Sequence, residues 1–256
     1  MASQYSIIIK NMSAQTMSFY AFQKQASFIN SGAAPTVLSS SLASGTLASN
    51  ASSGAQLDFG FEIQNYAGAK STVTSSSQVK FNASLSMVSA KSAVSSAAAV
   101  QPINLTTSAP SQPVDNSSAL TISPLGLSAA IYQPGLTVGS FGIQVPSSTP
   151  KPVPELYCGC AAINQDGSIT LSSFIAPLPN SQVYCSPYAT YYVRVGNYPA
   201  GQVVTYTTVQ SCRVRFYLGI QRNHRSIQQL WFIHDKRELK DAVEKSRYIY
   251  RNRKFT

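Results

Sequence analysis

Four cysteines, two histidines and nine carboxylates carry most of the chemical potential of this chain of 256 residues. Both imidazoles, His224 and His234, lie in the last stretch, so the first 223 residues contain none. Ser-His-Asp and Cys-His nucleophilic catalysis need an imidazole as base, and most zinc and non-haem iron sites need one as ligand. The body offers only Asp58, Glu62, Asp115, Glu155 and Asp166 as carboxylates. Asp58 and Glu62 share one face of a strand, roughly 13 Å apart at ~3.3 Å per residue, which exceeds the separation a glycosidase uses. No phosphate-cradling loop, dinucleotide fingerprint or nucleophile elbow is present. We therefore expect no enzyme, no catalytic residue, no metal site and no cofactor. Cys158 and Cys160 are too close for a mutual disulfide. Free thiols, or one bridge from either of them to Cys185 or Cys212, remain open.

Binding chemistry is better represented. Tyr184, Tyr188, Tyr191, Tyr192 and Tyr198 crowd into one short stretch, with Asn197 beside them. An exposed tyrosine offers a flat apolar face and a hydroxyl, which suit a sugar ring or a peptide. Tyr184, Tyr188, Asn197 and Tyr198 are the candidate ligand-binding residues, while Tyr191 reads as core. The second candidate surface is basic. Residues from Arg213 onward hold 12 of the 19 lysines and arginines, and Lys245, Arg247, Arg251, Arg253 and Lys254 could meet an anionic partner. A charge run of this kind reads as a solvated end rather than a nucleic-acid signature.

The elements that must hold these residues read as strands. Gln56–Ile63 alternates, with Leu57, Phe59, Phe61 and Ile63 on one parity and Asp58 and Glu62 on the other. Val79–Met87 alternates in the same way. Tyr5–Lys10 and Ser18–Lys24 read as a hairpin, and Asn65–Ala69 as a turn. Further strands are expected at Ala119–Ile122, Leu127–Tyr132, Leu136–Val145, Tyr188–Val195, Gln202–Thr208 and Cys212–Leu218. Tyr157–Asn164 and Ser168–Ile175 flank Asp166-Gly167, a strong hairpin signal. Residues 89–118 read as low-complexity, a long loop or a poorly ordered strand. Charged residues make up 11% of the chain, less than half the usual ~25%, so hydroxyl and amide side chains must keep the surface wet. The expectation is an all-β fold, an antiparallel β-sandwich with a jelly roll as a variant, over residues 1–219. A basic tail follows over 220–256. Asp235 and Glu238 there mark the start of a helix near 235–250.

The N-terminus lacks the basic start and long apolar run of a secretory signal. The default location is the cytoplasm, with non-classical export as the alternative. Asn-x-Ser/Thr triplets occur at Asn11, Asn50, Asn82, Asn104 and Asn116, as chance allows in so serine-rich a chain.

Gln4-Tyr-Ser-Ile-Ile-Ile-Lys-Asn11, followed by Phe19-Tyr-Ala-Phe-Gln23, resembles the opening of the rhizosphere-induced (RhiA-like) protein family. Tyr191-Tyr-Val-Arg-Val-Gly-Asn-Tyr-Pro-Ala-Gly-Gln-Val-Val204 resembles a stretch near that family's end, and Cys212–Phe216 would fall on its last-but-one strand. The resemblance implies a bacterial or fungal β-sandwich protein without established catalysis, linked to growth near a host. It carries over no catalytic residue. The functional expectation is a non-enzymatic binding or interaction protein with a protein or glycan ligand, compatible with a homo-oligomer. The alternative is a carbohydrate-binding, lectin-like module or a membrane-active β module.

Overall fold

The computed structural model describes residues 3–30, 35–74, 94–108, 113–147, 155–164, 167–209, 211–215 and 226–232. Nearly all of its regular structure is β. In chain order the strands are β1 (Ser3–Asn11), β2 (Met17–Gln23), β3 (Ser27–Asn30), β4 (Leu38–Ser40), β5 (Ala43–Leu47), β6 (Leu57–Ile63), β7 (Tyr66–Thr74) and β8 (Val94–Pro102). They continue as β9 (Ser117–Ile122), β10 (Leu125–Leu127), β11 (Phe141–Gln144), β12 (Glu155–Ile163), β13 (Ile169–Ile175) and β14 (Gln182–Ser186). The last are β15 (Thr190–Val195), β16 (Val203–Val204), β17 (Cys212–Arg215) and β18 (Ser226–Phe232). A single helical turn, α1 (Asn50–Ser53), precedes β6 and ends at Gly54, whose φ of 68° suits a residue without Cβ. Among the described residues no helix is long and apolar enough to cross a membrane.

The strands form four sheets that pack as two facing pairs. The sheet β18-β1-β6 faces β17-β15-β2-β5 across an aromatic core holding Ile7, Ile9, Phe19, Phe59, Phe61 and Tyr191. The sheet β10-β9-β11-β14-β3 faces β16-β4-β13-β12-β7-β8 across a core of mainly smaller side chains, among them Ala67, Ala69, Cys158, Cys160, Val183 and Cys185. Short links carry the chain from one half to the other, among them Lys24–Ala26 between β2 and β3, Ser41–Leu42 between β4 and β5, Gln64–Asn65 between β6 and β7, and Pro187–Ala189 between β14 and β15. Most pairs are antiparallel, and β1–β18 and β9–β11 are parallel.

Period-two patterning explains the faces. In β6, Phe59 and Phe61 are buried while Asp58 and Gly60 are exposed. Across the ladder Ile7 sits opposite Phe59, so both turn toward the same core. The run Phe19-Tyr-Ala-Phe22 has no polar face because β2 is covered twice. Phe19 and Ala21 enter the aromatic core, while Tyr20 and Phe22 pack with Tyr192 and Val204 on the other side. Fully burying one such ring contributes ~1.5–3 kcal/mol. In β12 a register shift between Cys160 and Ala161 breaks the alternation. Cys158 and Cys160 point into the small-residue core, and Ala161 joins a separate cluster with Tyr66, Leu171 and Phe174.

Several sequence-based expectations need correction. β1 and β2 do not form a hairpin: β1 pairs with β6 and β18, and β2 with β5 and β15. The reason lies at Asn11, which is fully buried. Its amide nitrogen donates to the Gln15 carbonyl at 2.7 Å and the Leu47 carbonyl at 2.9 Å, and its oxygen accepts from the Ser13 backbone N–H and hydroxyl. This local turn carries the chain across the core, so that Ile7 and Ile9 meet Phe19 and Ala21 face to face. Asn65–Ala69 is not a turn, because β7 starts at Tyr66 and buries Ala67 and Ala69. Its small residues answer a close approach: a Cβ on Gly68 would collide with the side chains of Ala161 and Leu171. Of the two readings of residues 89–118, the strand holds over Val94–Pro102, where β8 pairs along the whole of β7. The strand expected at Leu127–Tyr132 does not form, since β10 ends at Leu127, and two others are shorter than expected: β11 spans only Phe141–Gln144 and β16 only Val203–Val204. Gly135 and Gly139, at φ of 83° and 81°, interrupt the stretch before β11. The strand β18 falls in a segment where no element was expected. Val79–Met87 and the helix near 235–250 lie outside the described residues.

Candidate functional site

A cleft of about 590 Å³ opens where the two halves of the sandwich meet. The links between the halves supply much of its wall: Gln64 and Asn65 after β6, Pro187, Tyr188 and Ala189 before β15, and Gln23 at the end of β2. Asn164, just past β12, completes the rim. The floor is apolar and comes from the aromatic core, with Phe59, Phe61 and Tyr191 lining it. Phe61 and Tyr191 stack with centroids 5.0 Å apart at 29°, an offset arrangement that aromatic pairs favour. Burial, with the Cys160 thiol nearby, pushes the Tyr191 hydroxyl well above its ordinary range, so it stays a neutral phenol. The size falls within the ~300–1,000 Å³ common for small-molecule clefts.

Tyr188 is the best-anchored aromatic of the rim. It is 37% exposed, yet its position is fixed from three directions. Its hydroxyl shares a hydrogen bond of 3.0 Å with the Ser27 hydroxyl. Its backbone carbonyl accepts from the Gln23 side-chain amide at 2.8 Å. The Lys24 ammonium lies 3.8 Å from the ring centroid, a cation–π contact that occupies one ring face. The rim's other polar groups are mainly uncharged amides. Among the described residues Asp58 is the only charged side chain that lines the cleft, and no lysine, arginine or histidine does. Such a surface can exchange hydrogen bonds with hydroxyls while the rings cover an apolar face.

Of the four candidate binding residues, only Tyr188 reaches this cleft. Tyr184 lies on β14, half-buried, and its hydroxyl donates to Gln182 Oε1 at 3.1 Å. Tyr198 packs against Tyr20 with centroids 4.7 Å apart, away from the cleft. Asn197 is exposed beside it. Their closeness in sequence is therefore not closeness at one site, since β15 intervenes and turns the chain. Tyr191 is core, as its place in the alternation suggested. Lys245, Arg247, Arg251, Arg253 and Lys254 lie outside the described residues. The sequence reading missed Gln23, Gln64, Asn65 and Asn164. Each ends or follows a strand, and amides at strand ends are too common to stand out.

Cys158, Cys160 and Cys185 are buried together in the small-residue core, and Cys212 is half-buried on β17. Among the described residues no group of three or more histidine, cysteine, aspartate or glutamate side chains is arranged to hold a metal ion. Asp58 and Asp115 are both exposed. Two of the Asn-x-Ser/Thr asparagines, Asn11 and Asn116, are fully buried. Asn116 donates to Thr106 Oγ1 and the Gln133 carbonyl, and accepts from the Gln133 N–H. No family model, curated protein or solved structure matches the chain.

Proposed function

We propose that this protein is a non-enzymatic binding protein whose cleft takes an uncharged, polyhydroxylated ligand, a saccharide unit by chemistry. The observation that carries the reading is the combination of a fixed, partly exposed Tyr188 with an amide-rich rim over an aromatic floor. Sugars present an apolar face of C–H groups and a belt of hydroxyls, and such a site meets both. The dearth of charge argues against an anionic ligand such as a phosphate ester. The resemblance of Gln4–Asn11 and Tyr191–Val204 to the RhiA-like family agrees with a binding role in contact with a host or environment, and adds no residue to the site.

A glycan array followed by titration calorimetry tests this reading. We expect binding to a defined set of neutral glycans, weakened at least tenfold by Tyr188→Ala, with the melting temperature essentially unchanged. Silence across the array, or binding indifferent to Tyr188→Ala, removes the proposal.

A further inference from the structure

We propose that Cys160 and Cys185 are the site of an intramolecular disulfide that pins the two facing sheets of the small-residue half together. The two Sγ atoms lie 3.0 Å apart, inside the contact distance of unbonded sulfurs and about 1 Å from the ~2.05 Å of an S–S bond. Cys160 belongs to β12 and Cys185 to β14, which sit in opposite sheets, so the bond would cross the core rather than run along a ladder. The register shift after Cys160 fixes which strand residues face inward at that point. Cys158, two residues back on the same face, remains a free thiol in this arrangement, as does Cys212.

The chemistry balances as thiol–disulfide exchange with a small-molecule disulfide such as oxidised glutathione. One cysteine gives up its proton and attacks a sulfur of the small disulfide, releasing one small thiol. The second cysteine, deprotonated in turn, displaces the other small thiol from the mixed disulfide. Two S–H bonds and one S–S bond are exchanged for one S–S and two S–H bonds; the cysteines are oxidised and the small disulfide reduced. The exchange belongs to the folding chain. Once the sheets close, Cys160 and Cys185 are buried, and burial drives the Cys185 thiol well above its ordinary range. The same burial then shields the finished bond from reductants. The crosslink spans 25 residues of chain, including all of β13, and removes that loop's freedom from the unfolded state.

The test refolds the full chain with a mixture of reduced and oxidised glutathione, quenches it with acid, and counts alkylatable thiols in denaturant by intact mass. The expected count is two for the unsubstituted protein and four after reduction. Cys158→Ser should leave one free thiol, whereas Cys160→Ser and Cys185→Ser should each leave three. The unsubstituted count needs no variant to fold, and fragment-ion mapping of its unreduced peptides gives the pairing independently. Reduction should lower the melting temperature of the oxidised protein by about 10 °C. Four free thiols after oxidative refolding, or a bridge that survives Cys160→Ser and vanishes in Cys158→Ser, overturns the proposal.

Discussion

The two halves of the sandwich solve the same packing problem with different side chains. The core between β1/β6 and β2/β5/β15 counts Phe19, Phe59, Phe61 and Tyr191 among its buried residues. Among the described residues, the core between β9/β11/β14 and β7/β12 has Phe141 as its one buried ring and relies on alanine, cysteine and valine for much of the rest. Interiors fill to a nearly constant density, so side-chain volume decides how closely two sheets approach. Large rings leave their edges to line a cleft at the seam, and small residues let two thiols from opposite sheets meet. Site and crosslink thus follow from the two compositions.

Truncation should separate the halves most clearly. Phe19→Ala removes a fully buried ring from the aromatic core, and we expect a loss of ~3–5 kcal/mol, read from the midpoint of urea unfolding. A loss below about 1 kcal/mol would mean that the rings are not what holds this half together.

Alkaline pH should act first on the other half. Burial pushes the Cys158 thiol from 9.0 up to about 12. The folded state keeps its proton to higher pH than the unfolded state does. The contribution is therefore fully present below pH 9.0 and lost as pH rises from there toward about 12. Over that window the effect is on the order of a few kcal/mol. Tyr191, and Cys185 in the reduced protein, are also raised by burial and act in the same direction. Cys158→Ala should flatten the fall in melting temperature between pH 9 and 11 without removing it. An unchanged slope would show that Cys158 opens to solvent before the sheets separate.

Enlargement gives the smallest of these effects. Ala69, wholly buried on β7, sits in the small-residue core. Ala69→Leu should cost ~1–3 kcal/mol through overpacking, measured by the same urea titration. A neutral result would reveal slack in a core read as closely fitted.

Much of the fold was legible in single residues. Leu57, Phe59 and Phe61 announced a strand by parity, and Asp166-Gly167 announced the β12–β13 hairpin, which the register bears out. Asn65–Ala69 misled, and residues 94–102 fit loop and strand alike, because alanine, glycine and serine are both turn formers and the residues that let sheets approach. Which role applies depends on what lies opposite, as Ala161 and Leu171 lie opposite Gly68. Of the cleft, the sequence pointed to Tyr188 through its type. The amides around it carried no signal.

By itself, the sequence determined that this is a β protein, which residues alternate into a core, and that imidazole chemistry is missing from the body. Apolar periodicity and residue type are local properties, and a linear reading recovers them. The tertiary structure alone decided that β1 pairs with β6 rather than β2, that Gln23 meets Tyr188 across 165 positions, and that Cys160 meets Cys185. Strands pair through backbone N–H and C=O groups, which nearly every residue carries alike. Local pattern therefore says that a strand must pair without naming its partner, and the choice falls to the packing of the whole.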